Sequence, residues 1–179
     1  MVHRHRAFSL LELIIVMLII GITAAIAAPR FSDAMRVARL RAAANQLAAH
    51  IDYIRNVARN EARATSLICD NKLHSYRSPE VDFPDRRGER IEVQLLRDYD
   101  ADFRLVADFD DATTLAFDFE GTPYVGSDPM ASGQVLLRVG SDAFGVIITP
   151  GTGQTVVTQQ VLRDGDFVDV TALTSKMGS

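Results

Sequence analysis

Three aspartates alternate in the stretch "DYDAD", at Asp98, Asp100 and Asp102, as the first oxygen ligands of a calcium loop would. A complete loop needs glycine at its sixth position and a bidentate glutamate at its twelfth, but Phe103 and Phe109 stand there. The default expectation is a solvated acidic turn, with a looser calcium site on the three aspartates as the alternative. Asp164, Asp166 and Asp169 make a second acidic group near the C-terminus. His50 and His74 are far apart, and neither has a neighbour at ligand spacing, which argues against zinc. The single cysteine, Cys69, lies in an apolar run and reads as a small core residue rather than a nucleophile. It also rules out an intrachain disulfide. "PGTGQT" has the glycines of a phosphate loop without its Lys-Ser/Thr, so it reads as a turn. No catalytic constellation emerges, no cofactor is expected, and the chain reads as something other than an enzyme.

Arg86, Arg87 and Arg90 form a basic cluster with the chemistry to touch nucleic-acid phosphates. The surrounding balance is unfavourable to that reading, because the formal net charge is −4 and nucleic-acid binders are usually basic. Arginines dominate up to Arg63, whereas aspartates dominate from Asp98 onward.

The elements that carry these residues begin with an apolar segment. After the basic head His3, Arg4, His5 and Arg6, the run Leu10 to Ala28 is apolar apart from Glu12 and Thr23. A secretory signal peptide has the same layout, and "AAIAAP" would offer a cut near Ala28. Against that reading, Glu12 lies where the apolar middle should be purest, and the helical pattern continues past Pro29. As a membrane helix, Phe8 to Ala28 is roughly 31 Å long, enough for a hydrocarbon core, and the basic head predicts a cytoplasmic N-terminus. A carboxylate near mid-bilayer costs about 2.5–3.5 kcal/mol, and less near an interface. Glu12 therefore either reaches the headgroups or waits for a positive partner.

Beyond Pro29, residues Val37, Leu40, Ala44, Leu47, Ile51, Ile54 and Ala58 recur at steps of three and four, one face of a helix. With strong pattern on both sides, Pro29 should bend the helix rather than end it. The helix from Phe8 to about Arg63 would be roughly 84 Å long. The stripe suits packing against a sheet in the same chain, with a coiled-coil dimer as the competitor. After residue 64 the period becomes strand-like. Candidate strands are Ser66–Cys69, Arg90–Arg97, Phe103–Ala107, Thr114–Phe119, Gln134–Val139, Phe144–Thr149, Gln154–Thr158 and, more weakly, Phe167–Thr171. "VGSDAFG" reads as a hairpin connection, and "EGTP", "TPGTG" and "RDGD" as turns. "HSYRSPEVDFPDRRGER" is polar, contains proline and is expected to be an exposed excursion. A helix followed by consecutive antiparallel strands predicts an α+β head with the helix laid across the sheet.

"AFSLLELIIVMLIIGITAAIAAP" resembles the N-terminus of type IV prepilins and of the pseudopilins of type II secretion. The resemblance covers about 25 residues and implies a pilin-like fold, a long N-terminal, partly transmembrane helix packed on an antiparallel β-sheet head. It implies cleavage by a prepilin peptidase between Ala7 and Phe8, followed by N-methylation of Phe8. Glu12 becomes the fifth mature residue and Pro29 the twenty-second, both positions that match the family. Residue 7 departs from it, since the leader normally ends in Gly. The implied organisation is a leader at 1–7, a transmembrane half-helix at 8–28, an amphipathic half-helix at 29–64 and a β-rich head at 65–179.

The physics agrees with that resemblance. A cleaved Phe8 carries a free amine, and Glu12 of an incoming subunit would neutralise the Phe8 amine of its neighbour in a low-dielectric setting. Within one subunit, Glu12 near a helix N-terminus is mildly favoured by the dipole. "LAAHIDYIRNVARNEARATSL", "LAFDFEGTP" and "FGVIITPGTG" look like the GspH/FimT family of minor pilins and pseudopilins. A single cysteine cannot close the C-terminal loop of major pilins, which favours a minor or pseudopilin subunit. Together the resemblances imply a single-pass inner-membrane protein with a periplasmic head, incorporated into a type II secretion pseudopilus or a type IV pilus. Implied partners are other pilin or pseudopilin subunits, the prepilin peptidase, the inner-membrane assembly platform and membrane lipid, with nucleic acid disfavoured. The alternatives are a DNA-binding minor pilin of a DNA-uptake pilus and a secreted binding protein with a cleaved signal peptide.

Overall fold

The computed structural model describes residues 10–99, 101–163 and 166–169, with 26–30, 161–163 and 166–169 described by their backbone alone. The helical periodicity becomes one long helix, α1 (Leu10–Glu61), which runs on through Pro29 as its pattern predicts. The chain divides into two units, Met1–Val37 and Ala38–Ser179.

In the first unit the described residues are helical, and their apolar side chains are exposed along the run, among them Leu10, Ile14, Leu18 and Ile22. Thr23 directs its hydroxyl back to the carbonyls of Ile19 and Ile20, at 2.9 Å each, so its polar group is satisfied inside the helix.

The second unit follows the change from period 3.6 to period 2. Its strands are β1 (Thr65–Asp70), β2 (Ser75–Phe83), β3 (Arg86–Gln94), β4 (Arg104–Phe109), β5 (Thr114–Phe117), β6 (Pro123–Val125), β7 (Asp128–Pro129), β8 (Gly133–Val139), β9 (Asp142–Ile148), β10 (Thr155–Arg163) and β11 (Asp166–Asp169), with a single helical turn, α2 (Leu95–Asp98), between β3 and β4. They form two antiparallel sheets rather than the one expected. One has the order β3-β2-β1-β5-β6-β7 and the other β11-β10-β9-β8-β4.

Alternation in the strands decides which side faces the core. Leu67 and Cys69 on β1, Leu105 and Phe109 on β4, and Val135 and Leu137 on β8 are buried, as are Leu40, Leu47, Ile51 and Ile54 of the helical stripe. Three hydrogen bonds tie the helix to both sheets. Thr65 Oγ1 donates to the Ile54 carbonyl at 3.1 Å, and Thr155 Oγ1 donates to Asp52 Oδ2 at 2.8 Å. His50 Nδ1 meets the Tyr76 hydroxyl at 2.9 Å. The stripe therefore packs within its own chain.

The turn read in "TPGTG" also seats on the helix. Gly153 has φ +64°, and a Cβ there would lie 2.9 Å from Arg55 Cδ and 3.0 Å from the Gly121 carbonyl oxygen. Only glycine meets both the backbone conformation and the close approach.

Two local expectations are corrected. "HSYRSPEVDFPDRRGER" is not an exposed excursion but most of the β2–β3 hairpin, with Tyr76, Ser78, Val81 and Phe83 buried. Its register shifts between Ser78 and Asp82, an irregularity that accommodates exposed Pro79 and interrupts the alternation a sequence pattern relies on. The expected strand Arg90–Arg97 ends at Gln94, because the chain turns into α2, whose Leu95 is buried.

Candidate functional site

The residues singled out at the N-terminus are placed unevenly. Ala7 and Phe8 lie outside the described residues. Glu12 sits in the first described turn of α1 with its side chain exposed, and Pro29 is within α1 with only its backbone described. The apolar side chains around Glu12 are exposed among the described residues, a large uncompensated patch in water. Among the described residues no helix is long and apolar enough to cross a membrane. The described side chains of this segment stop at Ala25, while the sequence stays apolar through Ala28.

The arginine cluster is brought together on β3, the outer strand of the six-stranded sheet, but much of its charge is already engaged. Arg86 Nη1 pairs with Glu89 Oε1 at 2.8 Å, its Nε lies 3.6 Å from Asp85 Oδ2, and its guanidinium sits 4.3 Å from the Phe83 ring centroid. Arg90 Nη1 lies 2.9 Å from Asp82 Oδ1 and also donates to the Glu80 carbonyl at 2.8 Å. Arg87 is exposed on the same strand. These alternating charges suit a sheet edge, which they keep from pairing with another strand.

The acidic group is placed less compactly. Asp98 closes α2 and accepts hydrogen bonds from the Gln94 N–H at 3.0 Å and from Arg97 Nε at 2.9 Å. Partial burial works to raise its pKa, but those hydrogen bonds outweigh it and hold the carboxyl below its usual range. Asp102 is exposed, and Asp100 lies outside the described residues. Asp166 and Asp169 sit in β11 by backbone, and Asp164 is outside the described residues. Among the described residues no group of three or more His, Cys, Asp or Glu side chains is placed to hold a metal.

Two arrangements were not legible as chemistry in the sequence. His50, from the helical stripe, is buried against Tyr76 and edge-on to Phe83 at a centroid distance of 5.6 Å. Desolvation lowers its pKa, opposed by the nearby Asp85 and reinforced by Arg86. Asn71 and His74 act on the free edge of β4. Asn71 accepts from the Ala107 N–H at 2.8 Å and donates to the Ala107 carbonyl at 3.0 Å, as a neighbouring strand would, and His74 Nδ1 lies 3.2 Å from the Leu105 nitrogen. A carboxamide in the polar β1–β2 turn was the available signal, but nothing in its spacing indicated the partner.

The chain matches a family model described as the prokaryotic N-terminal methylation motif over residues 2–28. No curated protein matches it. Two crystal structures of the type IV minor pilin FimU of Pseudomonas aeruginosa (strain PAO1) are similar in fold. One shows 14% identity and a TM-score of 0.47, covering 72% of this chain and 92% of that one. The other shows 12% identity and a TM-score of 0.46, covering 72% and 97%. The residues matched by the methylation motif are those of the N-terminal segment that carries Glu12, and the unit from Ala38 onward lies outside the match.

Proposed function

We propose that this chain is a minor pilin or pseudopilin of the GspH/FimT kind, anchored in the inner membrane with its β-rich head in the periplasm. It is cut between Ala7 and Phe8, methylated on the Phe8 amine, and inserted into a type II secretion pseudopilus or a type IV pilus. The observation that carries this reading is the methylation motif over residues 2–28, with Glu12 five residues from the cut. The proposed organisation is a leader at 1–7, a membrane half-helix at 8–28, an amphipathic half-helix at 29–64 and a head at 65–179. The exposed apolar side chains from Leu10 onward support burial in lipid and then against neighbouring helices. In that setting Glu12 is stable when it meets the Phe8 amine of an adjacent subunit, since an unpaired charge in low dielectric is costly.

Mass spectrometry of the mature protein tests the processing step. A methylated Phe8 at the N-terminus is the expected result, and a start near Pro29 or Arg30 refutes it in favour of an ordinary signal peptide. Glu12→Leu tests assembly separately: membrane insertion persists while incorporation into the filament falls. Normal incorporation of that variant sinks the pairing of Glu12 with the amine.

A further inference from the structure

We propose that a groove on the five-stranded sheet, on the face away from Val135, Leu137 and Val146, binds an extended segment of another polypeptide chain through its backbone amide. The groove has a volume of about 500 Å³, a size that accepts a short peptide stretch. Its apolar walls come from Val106, Leu136 and Ile147 on three strands, with Asp108 at the lining. The cross-strand row Val106, Leu136, Gly145 has a gap where the glycine lacks a side chain. Two carboxamides close over that gap. A Cβ on Gly145 would lie 2.5 Å from Gln160 Nε2 and 2.9 Å from Gln134 Nε2.

Gln160 is 5% exposed, and its Oε1 is buried with no hydrogen-bond partner among the described residues. A buried carbonyl oxygen left unmatched is costly, so it points to a donor supplied from outside. Two neighbouring carboxamides offer both a donor and an acceptor whichever way their ends are turned. The complementary group is therefore an amide, with both N–H and C=O, carrying an apolar side chain for the walls. Asp108 disfavours an acidic segment. Strand addition at the β4 edge is not the route, because Asn71 and His74 already occupy its backbone groups. This inference does not depend on how the N-terminal segment is processed or assembled.

The test uses the full chain in detergent micelles and three short probes: acetyl-Ala-Leu-Ala methylamide, its depsipeptide with an ester replacing the Leu-Ala amide, and acetyl-Ala-Glu-Ala methylamide. Nuclear magnetic resonance titration is expected to give saturable shifts at Leu136, Gly145, Ile147 and the side-chain amides of Gln134 and Gln160. The depsipeptide binds about fivefold more weakly, as the loss of one hydrogen bond requires, and the glutamyl peptide more weakly than the leucyl peptide. Gln160→Leu removes the unmatched carbonyl, so it melts no lower than wild type yet loses affinity. Leu136→Trp, which fills the groove, abolishes the shifts. Shifts scattered over the surface, equal affinity for the ester and the amide, or undiminished binding to Gln160→Leu would overturn the proposal.

Discussion

Replacing Tyr76 with Phe isolates the side-chain to side-chain polar contact buried between the helix and the six-stranded sheet. Tyr76 is 1% exposed and His50 7% exposed, and the hydroxyl and Nδ1 are 2.9 Å apart. The substitution keeps the ring and leaves His50 with an unmatched nitrogen, at a cost of about 1–3 kcal/mol. For a domain of this size that corresponds to a fall in melting temperature of roughly 2–4 °C per kcal/mol. The double variant His50→Leu/Tyr76→Phe removes both polar partners and should recover much of the loss, because matched apolar replacement is nearly neutral. The pH dependence gives an independent reading. The pKa of His50 is lowered in the folded state, so between its native pKa and the ordinary value near 6.5 the unfolded chain binds more protons than the native one. Stability from this group is complete above about pH 6.5 and is lost as pH falls through the native pKa. The wild type should therefore lose stability over that window more steeply than His50→Leu. Thermal melts by circular dichroism from pH 7.5 to 5 measure both effects. A Tyr76→Phe variant that melts with the wild type would show that the hydroxyl contributes nothing to stability, and a His50→Leu variant with an unchanged slope below pH 6.5 would show that His50 titrates alike in the folded and unfolded chain.

Gly153→Val should destabilise the head by about 1–3 kcal/mol in chemical denaturation, since it combines a left-handed φ with a Cβ 2.9 Å from Arg55 Cδ. Ile54→Ala, at a fully buried position of the helical stripe, should cost about 2–5 kcal/mol by the same measurement. Cys69 is buried and its pKa is pushed up to about 12, so iodoacetamide at pH 8 should leave the native chain unmodified and alkylate it once after denaturation. Asn71→Ala should speed hydrogen exchange at the Ala107 amide while leaving exchange at Leu67 near the wild-type rate; equal acceleration at both would show a general loss of stability instead.

The long helix was legible because Leu40, Leu47, Ile51 and Ile54 recur at a period only a helix can bury on one side. Strands β4, β5, β8 and β9 were legible for the analogous reason at period 2, and the glycines of "EGTP" and "TPGTG" marked their turns. The β2–β3 hairpin was not, because two prolines, a register shift and a run of charges mask its buried Tyr76, Val81 and Phe83. The division into two sheets was also out of reach, since alternation tells which side of a strand is buried but not which strand lies beside it. The motif residues at the N-terminus carried their meaning in fixed spacing alone, and the arginine cluster showed its charge but not the carboxylates that engage it.

Local order in the chain is thus enough for the helix, the alternating strands, the methylation motif and the position of Glu12 within it, because each depends on neighbours a few residues away. Contacts across many residues required the folded chain. Tyr76 of β2 meets His50 of the helix, Asn71 caps β4 in place of a strand, and Gln160 and Gln134 converge over Gly145. Each joins groups from separate elements, and their partners are chosen by how the sheets and helix pack rather than by any spacing along the chain.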